Sequence, residues 1–513
     1  MKYRSIRYLF QILLLLLTVL GAQAQQVPPA TTLEELQQRL AAHLRQPKFA
    51  AASWGVKVVS LDTGRVLFEE TPRKFFSPAS NSKLYTVALA LDRCGGDYRI
   101  RTSLYAKTKP NRRGTLKGDL IVFGRGDPTI NARLNSNDIH RALAPLVRAV
   151  TNAGIKRVTG DLVGDESFFR GPPFGSGWAW DDPQYYYGAP ISALTINDNR
   201  IEITVKPGPQ TNAPCRLIMQ PPNGWLVLSN RTITVAKGGR RGISFYRPLD
   251  QHVVYVLGQL PLDDAGYVED VTVPNPAGLF MAFFKEALAR HGVRVSGKLR
   301  SVNWLDRETS PLDSGRWVEV GFVESLPLRD LAREVQKPSQ NLYTDLLLAH
   351  VGAVRAAIPA QARETSEDAG IRELGRFLAE AGVRPGDVQF EEGSGLSRNN
   401  LTTPDATVAL LQFMARHREA NAYTNALPVA GVDGTLRNRM KNTAAVGNVR
   451  AKTGTLRWAN ALSGYVTSAA GERLVFSVML NRYQSPDPDR SARTEIDAVA
   501  VMLAEFAGRT AIE

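Results

Sequence analysis

The stretch Ser80-Asn81-Ser82-Lys83, followed by Leu84-Tyr85-Thr86-Val87-Ala88-Leu89-Ala90-Leu91, decides the reading of this chain. The run after Lys83 is apolar nearly all round, which predicts a buried helix, and Pro78 stands just ahead of Ser80, where a helix can start. Residues three apart lie on one helix face, so the Lys83 amine is expected beside the Ser80 hydroxyl. A serine hydroxyl is a poor nucleophile at neutral pH and needs an adjacent base. A helix start adds free backbone N–H groups and partial positive charge, both favourable to an alkoxide or oxyanion near Ser80. The S-x-x-K spacing alone also arises by chance in chains of this length. Two further motifs, Ser339-Gln340-Asn341 and Lys452-Thr453-Gly454, complete the set expected of a serine acyl-transfer centre that uses lysine as its proton carrier.

Each added motif has a plain structural reading beside its chemical one. Ser339 reads either as the cap of the helix that begins near Leu342 or as a hydroxyl that relays a proton between Lys83 and a leaving amine. Asn341 would orient a substrate amide and hold Lys83. Lys452-Thr453-Gly454-Thr455 reads either as a turn or as a strand edge along which an extended peptide pairs. In the second case Lys452 and Thr453 supply charge and a hydroxyl for a substrate carboxylate, and Gly454 permits close backbone approach. The N–H of Thr455, with that of Ser80, would form an oxyanion hole.

Rival chemistries lack their markers. None of the six histidines (His43, His140, His252, His291, His350 and His417) stands in H-E-x-x-H, and no G-x-S-x-G elbow is present. No cofactor or metal is therefore expected. Net charge is +14, which suits anionic polymers such as cell-wall strands or lipid headgroups. The chain has no zinc-finger spacing, no helix-turn-helix pattern and no basic run with interleaved aromatics, so nucleic acid is not expected as a partner. Lys237-Gly238-Gly239-Arg240-Arg241-Gly242 is basic but reads as a turn.

Residues 1–24 read as an export signal, with Lys2, Arg4 and Arg7 before the apolar run Leu9–Leu20 and with Ala22-Gln23-Ala24 as the cleavage site; the alternative is an uncleaved anchor. No later stretch is long and apolar enough to cross a membrane, so the mature chain is expected in the periplasm or cell envelope. Cys94 and Cys215 are too few and too far apart to form a disulfide framework, and two unpaired thiols is the favoured reading.

A capping box at Thr32–Glu35 opens an amphipathic helix to about Leu44. Strand-like runs follow at Ala52–Ser60 and Val66–Glu69, and a second hairpin at Ala461–Thr467 and Arg473–Leu480 precedes a terminal helix from about Ser491 to Phe506. A sheet built from both chain ends, with helices packed on it, is expected. Between them, Asp119–Gly124, Ile139–Ala153 and Ile155–Val163 read as strand, helix and strand, and Ile191–Val273 as strands and turns.

The motif set resembles the penicillin-binding proteins and serine β-lactamases. The long insertion between Ser80 and Ser339 narrows the resemblance to the low-molecular-mass class C penicillin-binding proteins, the D-alanyl-D-alanine carboxypeptidase/endopeptidase family. Other matching stretches are Gly118–Leu120, Gly126–Thr129, Val158–Leu162, Asp165–Phe169, Gly177–Asp182, Ser394–Arg398 and Gly431–Leu436. Glu392-Gly393, where relatives often carry Asp-Gly, and Gln340 depart from the pattern. The resemblance implies a multidomain α+β and α/β fold. A transpeptidase-like catalytic domain, an antiparallel sheet with helices over 25–96 and 275–513, would be split by a mostly-β domain (97–117 and 190–274) with a nested small α/β domain (118–189). It implies Ser80 as acylated nucleophile and Lys83 as its base, with Ser339, Asn341, Lys452 and Thr453 completing the centre. It also implies peptidoglycan stem peptides as substrates and β-lactams as covalent inhibitors. In relatives an aspartate of the inserted region recognises the free amine of a diamino acid. The matching residue here is Asp181, with Trp178 and Tyr186 as pocket walls; Asp182 remains the alternative aspartate. Carboxypeptidase and endopeptidase action would share one centre. An esterase or β-lactamase on the same fold, or a wall-binding scaffold without turnover, are the competing readings.

Overall fold

The computed structural model describes residues 28–312, 316–355, 364–487 and 491–510; the export signal expected over 1–24 lies outside them. Five antiparallel strands form the first sheet, in the order Arg450–Leu456, Ala459–Thr467, Arg473–Asn481, Ser53–Ser60, Val66–Glu70. Both ends of the chain thus build one sheet. Alternating side chains divide between its faces, as the pleat requires. Val56, Val58, Leu474 and Phe476 pack with Leu36, Leu40, Ile496 and Leu503 of the first and last helices, Leu33–Leu44 and Ala492–Glu505. Val59 and Val475 turn the other way, into the core around the Ser80 helix.

That core explains the apolar run after Lys83. In the helix Ser82–Cys94, every residue from Ser82 to Leu91 is buried. Around it lie the helices Leu328–Gln336, Asn341–Arg355, Ser366–Glu380 and Pro404–Arg416. Of the two readings of the Lys-Thr-Gly motif, turn or strand edge, the structure has the strand edge. The motif occupies a strand of its own, Arg450–Leu456, and turns through Arg457-Trp458 into the next. This strand forms the edge of the sheet.

The inserted region departs from the expected boundaries. A second five-stranded sheet runs Leu299–Val302, Leu162–Asp165, Leu120–Phe123, Arg101–Ala106, Val318–Glu324. Its strands come from the α/β stretch, from 97–117 and from beyond 275. The cause is burial: the helix Pro276–Arg290 has an apolar face that packs on the helix Ile139–Asn152, sharing one core with Leu143, Leu146, Phe280, Phe284 and Leu288. The chain rejoins the Ser80 core at Leu328. The strand-rich stretch forms two three-stranded sheets, one from 200–206, 216–220 and 267–272, the other from 227–235, 242–246 and 253–261. Its buried residues, Ile201, Ile203, Val254 and Val256 among them, belong to the same core as the α/β part. The expected strand Ile155–Val163 is broken into Arg157–Val158 and Leu162–Asp165. Cys94 and Cys215 are both free thiols. No described helix is long and apolar enough to cross a membrane.

Candidate active site

Ser80 lies in a 3₁₀ turn, Ala79–Asn81, that runs directly into the helix Ser82–Cys94. Side chains three apart eclipse in a 3₁₀ turn, and the Lys83 Nζ to Ser80 Oγ distance is 2.9 Å. Two glycines let neighbouring segments close on this turn. A Cβ on Gly454 would stand 2.3 Å from the Pro78 carbonyl oxygen, and one on Gly395 would stand 1.9 Å from that of Ala79. Gly395 also has φ +82, which side-chain-bearing residues rarely adopt.

Lys83 is fully buried. Besides Ser80, its Nζ donates to Asn341 Oδ1 at 2.6 Å and to the Ser394 carbonyl at 2.6 Å. The Asn341 amide is oriented by its other end, because Nδ2 donates to the Tyr187 carbonyl at 2.8 Å. Asn341 Oδ1 and Ser394 O can only accept. A neutral lysine has two N–H bonds and one lone pair. With both N–H bonds taken by these two oxygens, the lone pair is left for the Ser80 hydroxyl. Burial pulls Lys83 down to about 8, against the pull of the nearby Asp345 and Glu392 carboxylates.

Lys452 is also fully buried. Its Nζ donates to Ser339 Oγ at 2.8 Å and to the Thr453 carbonyl at 2.9 Å. Desolvation, with Lys83 and Arg439 adding repulsion, holds it well below the ordinary lysine range. Ser339, in a left-handed conformation with φ +66, thus meets Lys452, and Lys83 is not among its hydrogen-bond partners. Thr453 Oγ1 lies 2.8 Å from Thr435 Oγ1. Thr455 is exposed at the outer end of the edge strand.

Glu392 organises the segment that supplies the Ser394 carbonyl. It is fully buried, and its carboxylate accepts from Ser394 N (2.8 Å), Gly395 N (2.7 Å), Asn400 Nδ2 (2.8 Å) and the Ser394 hydroxyl. The Glu-Gly departure from the family pattern is therefore a buried, hydrogen-bonded carboxylate two residues from a Lys83 ligand.

Trp178, Asp181 and Tyr186 share one loop, 175–188. The loop reaches the centre through Tyr187, and none of the three named side chains bonds a motif residue. Asp181 is exposed and its side chain makes no hydrogen bond or ion pair among the described residues, although its backbone carbonyl accepts from Gln184 N at 3.0 Å, whereas the Asp182 side chain accepts from Ala179 N at 2.8 Å as a turn cap. Tyr186 is half exposed and packs edge-on against Tyr187, which stacks on Tyr185. Trp178 lies over Gly175, where a Cβ would be 2.5 Å from the indole nitrogen. Arg247 pins this loop from below. Only 1% exposed, it donates to the carbonyls of Pro183, Pro248 and Leu249 and to Thr272 Oγ1, and its backbone exchanges two bonds with the Gln184 side chain.

Sequence reasoning did not single out the carbonyls of Ser394 and Tyr187, the Glu392 carboxylate or Thr435. The first two are backbone acceptors, which any residue type supplies. Thr435 stood in a stretch that matches the family, and Glu392 drew notice only as a departure from the family pattern. Among the described residues no group of histidine, cysteine and acidic side chains could hold a metal ion.

The model of the D-Ala-D-Ala carboxypeptidase 3 (S13) family matches residues 36–505. A D-alanyl-D-alanine carboxypeptidase of Actinomadura sp. (strain R39) is 34% identical over 98% of this chain and 91% of its own length. The D-alanyl-D-alanine carboxypeptidase DacB of Haemophilus influenzae is 26% identical over 83% of this chain and 85% of its own length. The crystal structure of penicillin-binding protein 4 (DacB) from Haemophilus influenzae shares the fold, with a TM-score of 0.74 at 24% identity, over 91% of this chain and 97% of that one. Matched by the family model over most of its length, the chain belongs to the D-Ala-D-Ala carboxypeptidase 3 (S13) family of serine carboxypeptidases.

Proposed function

We propose that this protein is an exported serine DD-peptidase of the periplasm or cell envelope. It acts on peptidoglycan stem peptides, cutting D-Ala-D-Ala bonds, D-Ala–diamino-acid cross-links, or both. The observation that carries this reading is the bonding of Lys83, whose two acceptor-only partners leave a lone pair for Ser80. In the proposed mechanism Ser80 Oγ attacks the penultimate D-Ala carbonyl while Lys83 takes the hydroxyl proton. The N–H groups of Ser80 and Thr455 stabilise the oxyanion, a contribution worth about 10²–10³ in rate per donor in comparable sites. The C–N bond then breaks. Ser339, which accepts from Lys452, gives its own hydrogen to the departing amine and is reprotonated from Lys452, whose lowered proton affinity suits a donor. Lys83 passes the Ser80 proton on to restore the one that Lys452 gave up; neutral again, it takes a proton from the attacking water and returns it to Ser80 Oγ as the acyl group leaves. The substrate carboxylate is held by Lys452 and Thr453 beside Gly454, and the extended peptide pairs with the edge strand. A β-lactam, which presents a strained amide, acylates the same serine; the Haemophilus influenzae relative has been crystallised with a novel β-lactam.

Digestion of purified cell wall tests the reading. Mass spectrometry should show release of D-alanine, of uncross-linked stem peptides, or of both, and the folded Ser80→Ala protein should release neither. Unchanged wall in the presence of active protein that hydrolyses simple esters would favour the esterase reading.

Lys83 must be neutral to accept a proton. Its amine is held at about 8, so the acylation rate should climb as pH rises through about 8 and level off above it. Lys83→Arg keeps the charge but has no accessible neutral form, and should lower acylation by about 10²–10⁴-fold, the usual contribution of a general base. A folded Lys83→Arg protein with near-normal acylation and the same pH profile would point to another base.

Asp181, the unpaired aspartate of the 175–188 loop, is proposed to bind the side-chain amine of the diamino acid, with Trp178 and Tyr186 beside it. A charge-assisted contact contributes about 1.5–3 kcal/mol. Asp181→Asn should therefore slow turnover of peptides with a free amine by about ten- to a hundred-fold and leave the N-acetylated peptide unchanged. Equal losses on both substrates would assign Asp181 a structural role.

A further inference from the structure

The proposed mechanism gives no task to residues 428–436, yet this segment closes one end of the edge strand Arg450–Leu456. Val429 pairs antiparallel with Arg450. Ala451 N donates to the Pro428 carbonyl at 3.0 Å, and Ala430 N donates to that of Val449 at 3.0 Å. Alternate residues of a strand turn their N–H groups to the same edge. Thr453 and Thr455 therefore follow Ala451 along this edge, beyond the part that 428–430 covers. The segment then returns through the 3₁₀ turn Gly434–Leu436, which brings Thr435 Oγ1 to 2.8 Å from Thr453 Oγ1. Neither hydroxyl has another hydrogen-bond partner among the described residues.

Thr435 is held from its other side by Lys337, two residues ahead of Ser339. Thr435 N donates to the Lys337 carbonyl at 3.0 Å. The Lys337 Nζ donates to Asp433 Oδ2 at 2.6 Å and to the Leu427 carbonyl at 2.9 Å, and Asp433 Oδ1 accepts from Val429 N at 2.9 Å. Gly434, with φ +56, allows this approach, since a Cβ there would stand 2.6 Å from the Lys337 carbonyl oxygen. The same lysine thus ties Thr435 to the turn that carries Ser339.

Two hydroxyls bonded only to each other spend one hydrogen and leave one unspent. When Thr435 is the donor, the unspent hydrogen belongs to Thr453. A carboxylate can only accept, and a hydroxyl that already accepts a hydrogen bond is polarised into a better donor. Without Thr435 the Thr453 hydroxyl would rotate with no protein partner. We propose that Thr435 is a positioning residue for substrate selection: it donates to Thr453 Oγ1 and thereby aims the Thr453 hydrogen at the carboxylate of the leaving group. The proposal rests on the reading of Lys452 and Thr453 as the carboxylate site.

The test compares two thioesters on the full mature protein, with thiol release as the readout. N-acetyl-D-alanyl thioglycolate has a leaving group that ends in a carboxylate, and N-acetyl-D-alanyl ethyl thioester has one that lacks it. The wild type should favour the first. Thr435→Val, which keeps the size and removes the hydroxyl, should lower kcat/KM on the first at least tenfold, chiefly through KM, and leave the second within twofold of the wild type. Thr435→Ser, which returns the hydroxyl, should recover most of the loss. An unchanged preference in Thr435→Val, an equal loss on both substrates, or a Thr435→Ser protein as impaired as Thr435→Val would overturn the proposal and leave the carboxylate site standing. Equal turnover of the two thioesters by the wild type would overturn the carboxylate site itself, and the proposal with it.

Discussion

The two oxygens that hold Lys83 set the terms for the rest of the molecule. Asn341 Oδ1 and the Ser394 carbonyl come from segments 53 residues apart in sequence and far from Lys83 itself, yet both lie 2.6 Å from its Nζ. A fully buried amine needs such partners, because desolvation without hydrogen bonds is costly in either protonation state. Because neither oxygen can donate, the pair fixes the orientation of the amine as well as its place. A histidine base gains the same control from a carboxylate on its second nitrogen. A lysine has no second nitrogen, so orientation must come from acceptors that take its hydrogens.

Each of these acceptors is held by a further layer. Asn341 is aligned by the Tyr187 carbonyl, and so by the loop that Arg247 and Gln184 fasten to the strand-rich part of the insertion. Ser394 is aligned by the buried Glu392 carboxylate. The insertion is therefore tied to the base through a short chain of bonds, and the loop that carries Asp181 is the link. Lys452 completes the electrostatics. A second buried amine close to Lys83 disfavours protonation of both, and an arriving substrate carboxylate would restore the charge on Lys452. Substrate binding and proton placement are coupled in this account.

Much of the fold was legible because burial patterns follow element type. The helices Leu33–Leu44 and Ile139–Asn152 and the strands from both chain ends carry periodicities that only one element satisfies. The boundaries of the insertion were not legible. The helix Pro276–Arg290 is apolar enough to join either core, and nothing local tells which partner it meets. Strands as short as Leu299–Val302 carry too few residues to signal their sheet. In the site, the three motifs pointed to a common location because side chains of definite chemistry define them. Backbone carbonyls carry no such mark, so Ser394 and Tyr187 went unnoticed. The pairing of Ser339 with Lys452 rather than Lys83 depends on the left-handed conformation at Ser339, which residue type does not announce.

The central claim is that Ser80 is the group that becomes acylated. Incubation of the full chain with benzylpenicillin, followed by rapid acid quench, proteolysis and mass spectrometry, reads this directly. The account predicts one penicilloyl group per chain, carried by the peptide that contains Ser80 and localised to that residue by fragmentation. A stable adduct on Ser339, Ser394 or any other side chain, with Ser80 unmodified, would contradict it.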